Sequence, residues 1–85
     1  DPSRSAQALY ELGQAAALRS EHALAVQWFN AAVEADPMHV RAWARMGVAL
    51  GILGRLPQAE AALQRAVQLD RFDPDPLNDL GMVYE

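Results

Sequence analysis

Few residues in this chain are equipped for chemistry. There are two histidines, His22 and His39, in different segments, and neither has an i, i+4 partner. A metal site built on them would need distant carboxylates to converge around a tetrahedral or octahedral ion. The expectation is therefore no metal, with His22 packing at a helix start and His39 capping the helix that follows. No cysteine is present, which removes thiolate nucleophiles, thiolate ligands and disulfides. The run Gly51-Ile52-Leu53-Gly54 resembles a phosphate loop only briefly, because Arg55-Leu56 follows where Lys and Ser/Thr are needed. No G-x-S-x-G elbow occurs. Acidic pairs stand at Asp75 and Asp79 and along Asp70–Asp73, in the pattern of helix-end charges. These residues predict a non-enzyme without a cofactor. One pair suits binding: Arg41 and Arg45 stand one helical turn apart, and two guanidinium groups on one face match a carboxylate.

Charge narrows the partners. Seven basic residues, all arginine, face 11 acidic ones, for a net charge of −4. The arginines are scattered, which excludes the basic face of a nucleic-acid binder and disfavours an anionic membrane surface. No apolar run approaches the roughly 20 residues that would span a bilayer. The chain opens with Asp1, which predicts an excised piece whose targeting signal would lie elsewhere, so these residues assign no compartment.

The elements that position these residues are helical. Ala (17) and Leu (11) make up a third of the 85 residues, Val and Ile contribute seven, and Thr is absent. That balance favours helices over strands. The chain also repeats itself. Gly13, Gly47 and Gly81 are 34 residues apart at each step, and their surroundings recur with them. Leu9, Trp43 and Leu77 sit four before, Leu12, Met46 and Leu80 one before, and Ala16, Leu50 and Tyr84 three after. At the same 34-residue offset, Ala25 matches Ala59, Phe29 matches Leu63, and Ala32 matches Ala66.

Each unit reads as two helices. Leu9, Leu12, Gly13 and Ala16 share one helical face, as do Ala25, Phe29, Ala32 and Val33. Ser20 is the expected N-cap of the second helix. Asp36-Pro37 should end it, since the residue before proline is pushed out of the helical region. Gly54 suits a left-handed helix end, and Pro57 suits the first turn of the next helix. The resulting map has five helices, near 4–18, 22–35, 40–53, 57–70 and 75–85. Small residues at Gly13, Ala25, Gly47 and Ala59 let antiparallel helices approach closely, which offsets the roughly 1 kcal/mol that a mid-helix glycine costs relative to alanine.

This pattern resembles the tetratricopeptide repeat family, whose 34-residue signature runs W-x2-L-G-x2-Y, then A, F, A and P. The second unit supplies Trp43, Met46, Gly47 and Leu50, then Ala59, Leu63 and Ala66. The first supplies Leu9, Leu12, Gly13 and Ala16, then Ala25, Phe29, Ala32 and Pro37; the third supplies Leu77, Leu80, Gly81 and Tyr84. Ala16, His22 and Arg71 depart from the pattern. The resemblance implies an all-α domain over 1–85, with units of about 6–39, 40–73 and an incomplete 74–85. Its antiparallel helix pairs would stack as a right-handed superhelical α-solenoid of about two and a half units.

The resemblance also implies a function. Proteins similar to this one use a concave groove, lined by the first helix of each pair, to hold a peptide segment of a partner and assemble complexes. Tyr10, Gln14, Arg41, Arg45, Val48, Asn78 and Asp79 are the candidate groove residues here, and an acidic peptide is the expected partner. Arg41 and Arg45 have two readings, contact with the ligand or pairing with Asp75 and Asp79. Relatives that clamp a terminal carboxylate use Lys and Asn; only Gln14 and Arg45 suit an anion here, and Asp75 and Asp79 oppose it. Trp43 is expected in the core, while Trp28 suits either the convex surface or a helix joint. Other readings are a self-associating structural module and a regulatory segment of a larger enzyme. Met82, Val83 and Tyr84 cannot all point inward, which predicts either marginal stability or association through the C-terminal end, with a second copy (homo-association) or with a following segment.

Overall fold

The computed structural model describes residues 2–70. Within them the chain forms four α-helices and no strand: α1 (Pro2–Leu18), α2 (His22–Ala35), α3 (Val40–Ile52) and α4 (Leu56–Asp70). Each boundary falls within two residues of the one expected from spacing and breakers. The expected fifth helix, near 75–85, lies outside the described residues.

The helices are placed by their ends. Asp36 closes α2 with an extended backbone (φ −142, ψ 93), as the following proline dictates. Its carboxylate accepts from the Met38 amide at 3.1 Å, and its carbonyl accepts from the His39 amide at 3.0 Å. The connections inside the two pairs are built alike. In the first, the Glu21 amide donates to the Ala16 carbonyl at 2.9 Å and the Ser20 amide to Ala17 at 2.9 Å. In the second, Arg55 donates to Leu50 at 2.9 Å and Gly54 to Gly51 at 3.1 Å. Both are the crossed pair of bonds that ends a helix on a left-handed residue. Gly54 takes that role at φ +81, as expected, and Ser20 takes it at φ +63.

Ser20 is thus the terminator of α1 and not the N-cap of α2. Glu21 holds the N-cap position, without a side-chain hydrogen bond. With so short a connection, the chain must reverse at residue 20, and that geometry takes precedence over the hydroxyl's capping preference.

α1 packs on α2, α3 packs on α4, and α2 packs on α3, so each helix meets the next in sequence. Nine of the 15 buried apolar residues among those described are alanines, with Phe29 the largest side chain fully enclosed. Helices faced with alanine come close together, and the aromatic ring fills the space that remains. The seam of α1 differs from the expected one. Ala6, Tyr10, Gly13 and Ala16 are buried, whereas Leu12 is 46% exposed. Its counterpart Met46 is buried, because α3 has both α2 and α4 beside it. Trp43 is half-buried against the core and donates its indole N–H to the Pro37 carbonyl at 2.8 Å; Trp28 also packs against the core.

Candidate peptide-binding groove

α1 and α3 run past one another with α2 behind them, and a groove of ≈ 280 Å³ lies between. From α1 it is lined by Gln14, Ala17 and Leu18; from α3 it is lined by Arg45, Val48 and Ile52. These positions follow the helical repeat, since 14, 17 and 18 share one face, as do 45, 48 and 52. Phe29 and His22 of α2 reach it from behind.

The groove is apolar with a charged rim. Leu18 is 88% exposed, Val48 51% and Ile52 57%, so three large apolar side chains face water from its walls. Arg45 is exposed, as is Arg41 one turn earlier, and neither holds an ion-pair partner among the described residues. Their alternative partners, Asp75 and Asp79, lie outside the described residues, as does Asn78. Behind the groove, the buried Nδ1 of His22 has no hydrogen-bond partner among the described residues.

Of the expected groove residues, Gln14, Arg45 and Val48 come together here, with Arg41 beside them on α3. Tyr10 does not face the groove and corrects that expectation. It is 4% exposed, with its ring 5.8 Å from that of Phe29 and 4.9 Å from that of His39. Its hydroxyl accepts a hydrogen bond from Gln14 Nε2 at 2.9 Å, so the phenol is buried with its polar tip satisfied. The Gln14 amide is thereby held against the core side of the groove. Leu18 and Ile52, which helical spacing already places on the free faces of α1 and α3, complete the lining, and His22 is the residue that sequence reading missed.

His39 organises the N-terminal end of α3. Its Nδ1 accepts from the Ala42 amide at 3.1 Å, the capping role expected of it. A neutral ring that accepts at Nδ1 carries its proton on Nε2, which donates to Gln7 Oε1 at 3.0 Å. Gln7 in turn donates to Glu11 at 3.2 Å, so the start of α3 is tied to α1. Burial holds the His39 pKa below its ordinary 6.5, with the Asp36 carboxylate pulling the other way.

The sequence profile of the tetratricopeptide repeat family matches residues 1–37 and 30–74. The chain belongs to that family. It is similar to tetratricopeptide repeat protein 7B of Homo sapiens, 36% identical over 77 residues. That match covers 91% of this chain and 9% of the human protein, so the chain spans less than a tenth of its relative's length. Repeats of the family mediate protein–protein interaction, and the helix pairs here are two such units. Among the described residues, no helix is long and apolar enough to cross a membrane, and no three acidic, histidine or cysteine side chains cluster as metal ligands.

Proposed function

We propose that the chain is a non-catalytic interaction scaffold that holds an acidic or carboxylate-bearing peptide segment of a partner protein between α1 and α3. The carrying observation is the groove itself, where exposed Val48, Ile52 and Leu18 sit beside Arg45, which holds no ion-pair partner among the described residues. An apolar side chain of the peptide would be covered by these walls, and its carboxylate would meet Arg45 and Arg41 in the bidentate geometry that guanidinium favours. Gln14, its amide already fixed by Tyr10, flanks the peptide backbone. On this reading the two helix pairs are successive steps of a right-handed superhelical solenoid, and the groove continues along it.

The test is a peptide array that includes acidic segments and free C-terminal carboxylates, read with the parent and with Arg41→Glu/Arg45→Glu. Carboxylate-bearing peptides should bind the parent, and the double reversal should weaken them by on the order of 1–3 kcal/mol where the contacts are desolvated. Equal affinity of parent and variant at low salt would overturn the reading.

A further inference from the structure

Leu18 and Ile52 are 88% and 57% exposed, and they hold the same position in successive units, 34 residues apart. Each is the last residue of its helix, and both line the α1–α3 groove. Beside them the lining is small: Ala17 on α1 and Ala49 on α3, with the ring of Phe29 behind. Two large side chains open to water over an alanine floor make a slot at this end of the groove. Single exposed leucines are ordinary on a protein surface, but a matched pair on facing walls is not.

Size and charge choose the occupant. The groove's ≈ 280 Å³ is nearly twice the volume of a roughly 150 Å³ cavity, lined by Leu, Ile and Phe, that takes up benzene. One ring and the chain that carries it fill such a space, whereas a helix about 10–12 Å across does not enter it. A flat ring on the alanine floor also reaches Phe29, and aromatic pairs gain more than their buried area alone supplies. Among the described residues no carboxylate lines the groove, and its arginine, Arg45, stands seven residues before Ile52. That separation is about 10 Å along α3, which an extended chain covers in about three residues. Copies of this chain, at a net charge of −4 each, repel one another, so a separate partner fits better than a second copy.

We propose that the slot between Leu18 and Ile52 takes one aromatic side chain of an extended partner segment, whose acidic residue, about three positions away, meets Arg45. The proposal rests on the peptide-binding reading of the groove and adds to it the ring, the place that receives it and the spacing to the acid.

The probes are capped peptides of glycine and serine that carry one aspartate and one phenylalanine three positions apart, in either order. They are titrated into the isotopically labelled 85-residue chain and followed by amide chemical shifts. Saturable shifts at Ala17, Leu18, Ala49 and Ile52 are expected with at least one order. A twin with alanine in place of the phenylalanine should bind about tenfold more weakly. Leu18→Gln/Ile52→Gln, which alters only exposed side chains, should bind the two twins alike. If that variant fails to fold by circular dichroism, Ile52→Gln alone should narrow the difference to about threefold. Three results overturn the proposal: no saturable shift with either order, a phenylalanine preference that survives in the folded double variant, or peptide-free shifts at Leu18 and Ile52 that grow with protein concentration and so seat a second copy in the slot. Twins that bind the parent alike overturn it as well; if both are weakened by Arg41→Glu/Arg45→Glu, the peptide-binding reading survives without the slot.

Discussion

A Cβ added to Gly13 would stand 2.5 Å from Cε1 of Phe29, inside the space that the ring occupies. Phe29 is 1% exposed and cannot swing aside. At Gly51 the nearest atom to an added Cβ is that of Ala59, at 4.0 Å, an ordinary contact. The two glycines should therefore respond to alanine with opposite signs. Gly13→Ala should lose up to about 2 kcal/mol, an overpacking cost of about 1–3 offset by about 1 of helix propensity. Gly51→Ala should gain up to about 1 kcal/mol. Urea titration of the two variants checks both signs. Gly47→Leu should be harsher still, because the Ala59 carbonyl lies 3.2 Å from an added Cβ and backbone yields less readily than the Leu63 side chain. A melt like the parent's would put the seam elsewhere.

Ser20 occupies a left-handed conformation that its counterpart Gly54 adopts without penalty. That conformation costs a non-glycine residue about 1–2 kcal/mol, while glycine adds about 0.5–1 kcal/mol of unfolded-state freedom. Ser20→Gly should accordingly stabilise the fold by about 0.5–1 kcal/mol, and Gly54→Ser should destabilise it comparably. Thermal melts of the exchanged pair test this, and a drop in Tm for Ser20→Gly would contradict it.

His39 makes stability depend on pH. The unfolded chain takes up its proton near 6.5 and the folded chain only below that, so between the two values the unfolded state holds more protons. Stability should be level above about pH 6.5 and fall as the pH drops through the window below it. Protonation places an N–H at Nδ1 opposite the Ala42 amide and breaks the cap. His39→Asn keeps an accepting cap and should flatten this dependence, whereas His39→Ala should lose about 1 kcal/mol at neutral pH. Denaturant melts from pH 5 to 8, read beside the parent, measure both effects.

Arg41, Arg45 and Val48 are exposed on α3. Replacing each with glutamine should move stability by no more than about 0.5 kcal/mol. Calorimetry of the triple variant decides this, and a loss of several degrees would mean that these side chains hold the helix pairs together.

Most helix boundaries were legible because prolines and glycines punctuate the repeat where the backbone must turn. Gln14, Arg45 and Val48 were legible because the face of an exposed helix follows from spacing alone. Tyr10 was not. Its counterpart 34 residues on is Ala44, so the repeat held no sign of an aromatic ring packed between Phe29 and His39. Leu12 misled for a related reason: identical positions in two units have different neighbours when one helix is flanked on both sides and the other is not. Ser20 looked like a cap because serine favours caps, but chain reversal claimed the residue first.

The tie between Gln7 and His39 joins residues only 32 positions apart, and each helix packs on the one that follows it. Loop closure entropy grows only with the logarithm of the span, so none of these contacts requires distant parts of the chain to find one another. Proteins dominated by such local contacts cross their folding barrier in microseconds to milliseconds. This chain should refold on that timescale, with no slow phase awaiting a remote partner strand.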